Sequence, residues 1–382
     1  MSAAISTFHK TSANSINSDE IISYNPATNR EIGRVEVANR ETVFKVVERA
    51  RIAAKLWRET TFAERARFIM KAREVILSEM DEIARLISDE MGKPQAEAVS
   101  TEIAPVLDLM QFFARNAKKM LKPEKINIGL FGLMARSSKI IYQPLGVVGI
   151  ISPWNYPFAI PLGEVTMALM AGNSVVLKPS EITPFVGLRI AEIFAKVGLP
   201  QDVLQVISGD GKTGAALVES GVNKIMFTGS VATGKRIAES AAKTLTPVVL
   251  ELGGKDPMIV LENANLENAA NAAVWGAFAN SGQTCASVER CYVHESIADK
   301  FIERVVELTE KLHQNIGCES CEIGAMSSES QLEIVENHVQ DAIKNGAKVL
   351  TGGKRNANLN GGAFFEPTIL TEINHDFKAM RE

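Results

Sequence analysis

From Val147 onward the chain breaks into short, nearly continuous apolar runs: VVGIIS, SVVLK, VLQVIS, KIMFT, PVVLEL and PMIVL. Between them lie stretches with helical spacing, at 161–171, 184–197, 212–220 and 232–243. A strand that is apolar at every position has no face to give to water, so its sheet must be covered on both sides. Alternation with amphipathic helices supplies that cover. The pattern predicts an α/β fold around a parallel sheet, with ligands seated beyond the carboxyl ends of the strands.

The segment before the sheet reads as helical. Val43, Val46, Val47, Ala50, Ala54 and Trp57 recur at helical spacing, and a second, longer stripe runs from Phe68 through Ile76 to Ile87 before Gly92 and Pro94 stop it. KINIGLFGLMARSSKIIYQPLG is strand-like but broken by glycines, which suits either an arm leaving the domain or an ordinary hairpin. After Cys285, RCYVH and a helix over 297–312 suggest a second α/β unit. A length of 382 residues fits two or three domains, with 46% hydrophobic and 23% charged residues. The 41 basic and 45 acidic residues leave a net charge of −4 without blocks of either sign, which points away from nucleic acid and anionic membranes as partners. No apolar run approaches bilayer length. MSAAISTFHKTSANSINSDE lacks a signal peptide's apolar centre and a transit peptide's arginines, and reads as a disordered lead-in to a cytoplasmic protein.

Several motifs fall where the sheet would present a ligand. FTGSVATGKR has P-loop spacing from Gly229 to Gly234 with Lys235 following, yet Arg236 offers no hydroxyl for a metal and Val231 breaks the dinucleotide glycine pattern. A glycine turn into a helix N-terminus remains, suited to a phosphate or simply to close packing. SGDGKTG fails as a second P-loop because Val206 stands at the first glycine. In LKPSE, Lys178 and Glu181 emerge at the rim, as nucleotide contacts or as a solvated loop capped by Ser180. In ELGGK, Glu251 could reach a cleft and, with partial burial, act as a base; the alternative is a surface turn. In SPWNYPF, Asn155 is flanked by bulky residues and its amide could donate to a developing oxyanion.

The four cysteines are too sparse for a disulfide scaffold and point to a reducing compartment. Cys318 and Cys321 form CESC, but zinc would need a second pair of ligands and His313 stands alone nearby. No metal site is expected. Cys291, in an apolar strand, is expected in the core. Cys285, in the small polar turn NSGQTCAS, could be packing, a ligand, a disulfide partner or a nucleophile.

PWNYP, LKPSE, FTGS, ELGGK, GQTC and FEPTIL, in that order and at those spacings, resemble the aldehyde dehydrogenase superfamily over nearly the whole chain, from NPAT at Asn25 onward. The resemblance implies a Rossmann-like NAD domain at 1–123 and 145–251, an oligomerisation arm at 124–144 and an α/β catalytic domain at 252–382. It implies oxidation of an aldehyde to a carboxylic acid with hydride transfer to NAD(P)+, through a cysteine thiohemiacetal and thioester. Cys285 matches the nucleophile, Asn155 the oxyanion donor and Glu251 the water-activating base. Ser152, Trp154, Lys178, Ser180 and Glu181 match cofactor contacts, as do Gly209, Thr228, Gly229, Ser230, Leu252 and Gly253. Glu181 should repel a 2′-phosphate, which favours NAD while leaving NADP possible.

In that family, KAMRE is followed one residue later by a second glutamate and Phe-Gly-Pro, so the resemblance implies a C-terminally shortened chain. An exposed sheet edge and unburied apolar surface should follow, and the full-length form should be a homodimer or homotetramer. Two other readings stay open at this point. One is a non-catalytic nucleotide-binding protein; the other is a cysteine hydrolase or acyltransferase, which would want a histidine partner that the motifs lack.

Overall fold

The computed structural model describes residues 19–129, 136–316, 321–359 and 361–381. Most of the lead-in lies outside the described residues, but Glu20 already belongs to a strand. An antiparallel pair, β1 (Glu20–Tyr24) and β2 (Glu31–Glu36), opens the chain. Helices α1 (Arg40–Trp57), α2 (Phe62–Ser78) and α3 (Met80–Met91) follow, then the short α4 (Gln95–Ala98), a π-helical turn (Val99–Ile103) and α5 (Ala104–Met120). Asn39 caps α1 by accepting from the Thr42 N–H, and Thr61 and Glu64 form a reciprocal capping box on α2. The long apolar stripe expected as one helix is two. The backbone leaves helical geometry at Glu79, whose carboxylate accepts from Arg189 and Lys196, each at 2.8 Å. Gly92, at φ 85°, ends α3; a Cβ there would sit 2.9 Å from the Ala325 carbonyl oxygen, so both conformation and space call for glycine.

A hairpin of β3 (Glu124–Ile126) and β4 (Ser138–Ile140) carries exposed residues throughout; residues 130–135 between them lie outside the described part. The central unit then runs β5 (Val147–Ile151), α6 (Ala159–Met170), β6 (Ser174–Lys178), α7 (Pro184–Lys196), β7 (Leu204–Val206), α8 (Gly211–Glu219), β8 (Lys224–Gly229), α9 (Val231–Ala242) and β9 (Val248–Leu252). These five strands form one parallel sheet in the order β7-β6-β5-β8-β9, so the chain reverses direction across the sheet between β5 and β8. Every residue of β5 and β6 is buried, as continuous apolar strands require. One face packs on α2, α3, α5, α6 and α7 through Ile69, Ile87, Leu162 and Ile190; the other packs on α1, α8 and α9 through Val43, Leu217 and Ile237.

The sixth apolar run departs from expectation. PMIV forms β10 (Pro257–Val260), which leaves the main sheet and pairs in parallel with β11 (Arg290–Val293). Helices α10 (Leu266–Phe278) and α11 (Glu295–Thr309) pack on this pair around Val260, Ala270, Ala273 and Phe301. Among the described residues this sheet has only two strands, and Cys291 is exposed and not in the core. A last unit comprises α12 (Glu329–Lys344) and the antiparallel β12 (Lys348–Thr351) and β13 (Ile369–Thr371). Among the described residues no helix is long and apolar enough to cross a membrane.

Candidate active site

The carboxyl edge of the five-stranded sheet gathers the residues singled out above. Ser152, Trp154 and Asn155 follow β5; Lys178 ends β6 with Ser180 and Glu181 beyond it; Gly209 follows β7. Thr228 and Gly229 end β8, Ser230 starts α9, Glu251 and Leu252 end β9, and Gly253 lies just past it. Parallel strands bring all their carboxyl ends to one edge, so the juxtaposition follows from topology.

The part of that edge that carries Lys178, Ser180 and Ser230 is polar. Lys178 is 4% exposed and its Nζ donates to Glu181 Oε2 at 3.2 Å. Ser180 Oγ accepts from the Ile182 N–H, and Ser230 Oγ caps α9 by accepting from the Thr233 N–H. Gly209 has a packing reason to be glycine, since a Cβ would meet Thr213 Oγ1 at 2.0 Å; at Gly229 a Cβ would meet the Phe227 ring at 2.6 Å. Leu252 packs its side chain against Gly234 of α9, and Trp154 lies against the core. Two buried hydroxyls stand on this edge: Ser152 Oγ makes no hydrogen bond among the described residues, and Thr228 Oγ1 has the Glu164 carboxyl as its neighbour. An unsatisfied buried oxygen on the edge where a doubly wound sheet takes its ligand is what a bound polar group would complete.

The cysteine loop docks on Asn155. Asn280, Ser281 and Gly282 follow one another at φ 56°, 57° and 77°, a left-handed run that costs two non-glycine residues and turns the chain back sharply after α10. Fixed bonds hold this conformation. Asn155 Nδ2 donates to the Gln283 carbonyl at 2.9 Å, and Asn280 Nδ2 donates to the Asn155 carbonyl at 2.9 Å and to the Gln283 carbonyl at 3.1 Å. Asn155 Oδ1 accepts from the Tyr156 N–H, so the side-chain amide is oriented with one N–H spent on the loop and one left over. Tyr156 Oη lies 2.8 Å from Thr284 Oγ1, next to Cys285. Cys285 itself is exposed. The ELGGK turn closes the third side: a Cβ on Gly254 would come within 3.2 Å of the Cys285 carbonyl oxygen.

The buried carboxyl here is not Glu251, which is exposed on β9, but Glu164 of α6, 6% exposed. Burial pushes the Glu164 carboxyl up to about 8, Thr228 pulls it back and Glu251 adds to the rise. Thr228 and Glu251 face each other in the β8–β9 register, so the three side chains form one group. Glu164 Oε2 makes no hydrogen bond. A neutral Glu164 avoids placing a second negative charge beside Glu251. The sequence carried a signal for it, since Glu164 is the sole ionisable residue of the otherwise apolar helix AIPLGEVTMALM. Lys93, Glu97 and Glu102, also absent from the motif reading, lie behind Asn155. Cys318 lies outside the described residues.

Comparison with known proteins follows the same residues. The family model described as the aldehyde dehydrogenase family matches residues 13–382. A Methylomonas 4,4′-diapolycopene aldehyde oxidase is 37% identical over 95% of this chain and 67% of its own length. An E. coli NADP-dependent enzyme superposes with a TM-score of 0.90 at 34% identity, covering 94% of this chain and 74% of that one. A Mycobacterium tuberculosis aldehyde dehydrogenase crystallised with NAD+ gives a TM-score of 0.91 at 32% identity, covering 96% and 76%. With the family model matching residues 13–382 and solved relatives superposing over nearly the whole chain, the chain belongs to the aldehyde dehydrogenase family.

Proposed function

We propose that the protein oxidises an aldehyde to a carboxylic acid with NAD(P)+ as acceptor, using Cys285 as nucleophile. The observation that carries this reading is the docking of the Gln283–Cys285 loop on the Asn155 side chain through a 2.9 Å hydrogen bond. The Cys285 thiolate attacks the aldehyde carbon, and the spare Asn155 N–H, with the Cys285 backbone N–H, stabilises the oxyanion of the thiohemiacetal. Bound NAD(P)+ supplies the hydride acceptor that makes oxidation to a thioester possible. Glu251 then takes a proton from water as that water attacks the thioester, releasing acid and restoring the thiol. Burial pushes the Glu164 carboxyl toward its neutral form beside Glu251.

The cofactor would lie along Lys178, Ser180 and Glu181 and across Gly229 and Ser230, with Ser152 gaining a partner. Ser230 at the N-terminus of α9 suits a phosphate. Glu181, partly exposed at that edge, favours NAD, with NADP also accepted. On this reading 1–123 and 145–251 form the cofactor domain, 124–144 an oligomerisation arm and 252–382 the catalytic domain of a cytoplasmic homodimer or homotetramer. Tyr156, hydrogen-bonded to Thr284 next to Cys285, suits an aliphatic or aromatic aldehyde.

The test is reduced-nicotinamide formation on adding aldehyde and NAD+. Cys285→Ala should lower it by at least about a thousandfold. Comparable activity in that variant would overturn the assignment.

A further inference from the structure

Behind the oxyanion donor sits a buried ion pair that the proposed chemistry does not use. Lys93 and Glu102 have side chains 1% and 0% exposed, with Nζ 2.8 Å from Glu102 Oε1. Such a pair adds little stability over apolar residues of the same size, because desolvation offsets the attraction. Every remaining polar atom of the pair is spent on one turn. Lys93 Nζ donates to the Asn155 carbonyl at 2.9 Å and lies 4.3 Å over the Tyr156 ring. Glu102 Oε2 accepts from the Phe158 and Ala159 N–H groups, at 2.8 and 3.2 Å, where α6 begins.

A third ionisable side chain of the same segment reaches the other half of the site. Glu97 accepts a hydrogen bond from the Asn280 N–H, at the head of the cysteine loop. Burial pushes its carboxyl up, with the Asn280 N–H and Lys93 pulling back and Glu102 adding to the rise. Glu97 and Glu102 are five residues apart, which in a regular α-helix would aim them about 140° from each other. The intervening turn is π-helical: the Ala104 N–H reaches the Val99 carbonyl, a five-residue step. That extra residue per turn brings positions five apart toward one face, and such inserts recur at functional sites.

We propose that the segment from Lys93 to Glu102, which ends in this π-helical turn, is the positioning element of the active site: Lys93 and Glu102 fix the Asn155 turn, Glu97 fixes the cysteine loop, and the pair of loops is thereby held in catalytic register. The proposal rests on the Cys285 and Asn155 reading. None of the three residues touches substrate; they act through Asn155 and Asn280. Without the Lys93 ammonium the Asn155 carbonyl keeps only its bond from Asn280, and the amide donor loses its aim.

Two reactions of the same thiol separate positioning from mere folding. With 4-nitrophenyl acetate, Cys285 sulfur bonds to the acetyl carbon and nitrophenolate leaves, through an oxyanion that Asn155 must stabilise. With iodoacetamide, sulfur displaces iodide and no oxyanion forms. Lys93→Met should slow the nitrophenolate burst by about tenfold to a hundredfold while alkylation changes by less than about threefold. The double variant Lys93→Met with Glu102→Gln, free of an unpaired buried charge, should recover much of the lost melting temperature but not the burst. It carries the same comparison if the single variant does not fold.

The proposal is overturned if the burst is unchanged, if burst and alkylation slow together, or if the double variant recovers the burst with its melting temperature. Glu97→Gln, which keeps the shape and one acceptor, should leave the burst within about threefold, and a larger loss would assign Glu97 a role for its charge instead of its hydrogen bond. A wild-type burst that is absent, or one that survives Cys285→Ala, defeats the nucleophile assignment itself, a result distinct from any of these.

Discussion

The two α/β units of this chain are built to different standards. In the central sheet, β5 and β6 are buried at every residue and helices cover both faces. In the second unit, β10 and β11 bury only Val260 and leave their other residues half-buried or exposed, and Ile259, Leu261 and Trp275 stand 70%, 61% and 72% exposed. The candidate base, Glu251, ends a strand of the first; the candidate nucleophile, Cys285, sits on a loop carried by the second. What joins them is polar: the bonds among Asn155, Asn280 and Gln283, backed by Lys93, Glu97 and Glu102. Apolar burial fixes each unit, and a buried hydrogen-bond network fixes their seam. Such a network specifies geometry sharply because each unmet bond in a low-dielectric interior is costly.

The largest expected effect comes from separating the chemical roles of the two units. Glu251→Gln should reduce steady-state oxidation by about a hundredfold to ten-thousandfold. The first turnover on Cys285 should persist, because the base acts on water only after the thioester has formed. A stopped-flow trace of reduced nicotinamide would then show a burst followed by a slow phase. A variant that loses the burst as well would place Glu251 in thiol activation and merge the two roles that the comparison keeps apart.

The contrast in packing predicts a smaller but still large difference. Ile150, fully buried in β5, should cost about 2–5 kcal/mol when replaced by alanine, through lost transfer energy and the cavity left behind. Ile259→Ala, at 70% exposure, should change stability by no more than about 0.5 kcal/mol. Urea unfolding of the two variants measures both. A large loss from Ile259→Ala would mean that its face is covered in solution, and the second unit would no longer be the looser one.

The central sheet was legible in the sequence because burial on both faces leaves a plain mark, an apolar run bounded by turns. Four helices of that unit fall within two residues of their expected ends for the same reason. The second unit was harder to read, since PMIV has the composition of a core strand and only pairing decides which sheet it joins. The helix break at Glu79 was hidden by a stripe that continues through it from Ile76 to Ile83, and the π-helical turn leaves no mark in composition. In the candidate site, Asn155 and Glu251 stood out as polar residues at the ends of apolar runs, and Cys285 as a lone cysteine in a small polar turn. Lys93, Glu97 and Glu102 did not, because lysine and glutamate on a helix are usually solvated and only tertiary packing says otherwise. The buried neighbour of the base was legible in principle, as the single ionisable residue of an apolar helix.

Protonation gives the smallest effect and the sharpest reading of the interior of the first unit. Glu90, fully buried, accepts from the Ser23 hydroxyl and the Phe185 and Val186 N–H groups at the start of α7, yet burial pushes its carboxyl up to about 7. Glu164 is pushed up to about 8, also chiefly by burial. In the unfolded chain both return to the ordinary value of 4.5. Between that value and its folded value each carboxyl holds a proton in the native state that the unfolded state has released. Stability from these protons is therefore complete below the unfolded value, falls as pH rises and levels off above the folded value. One proton of difference changes the unfolding free energy by at most about 1.4 kcal/mol per pH unit. Unfolding in urea at about pH 6 and about pH 7 should show wild type losing stability more steeply than Glu164→Gln, by about 1 kcal/mol over that unit. Glu251→Gln, exposed on β9, should leave most of that slope in place, because burial and not the neighbouring charge is the main cause of the shift. Equal slopes for wild type and Glu164→Gln would mean that Glu164 is already ionised in the folded protein, and the charged pair with Glu251 would then have to be stabilised by something other than its own burial.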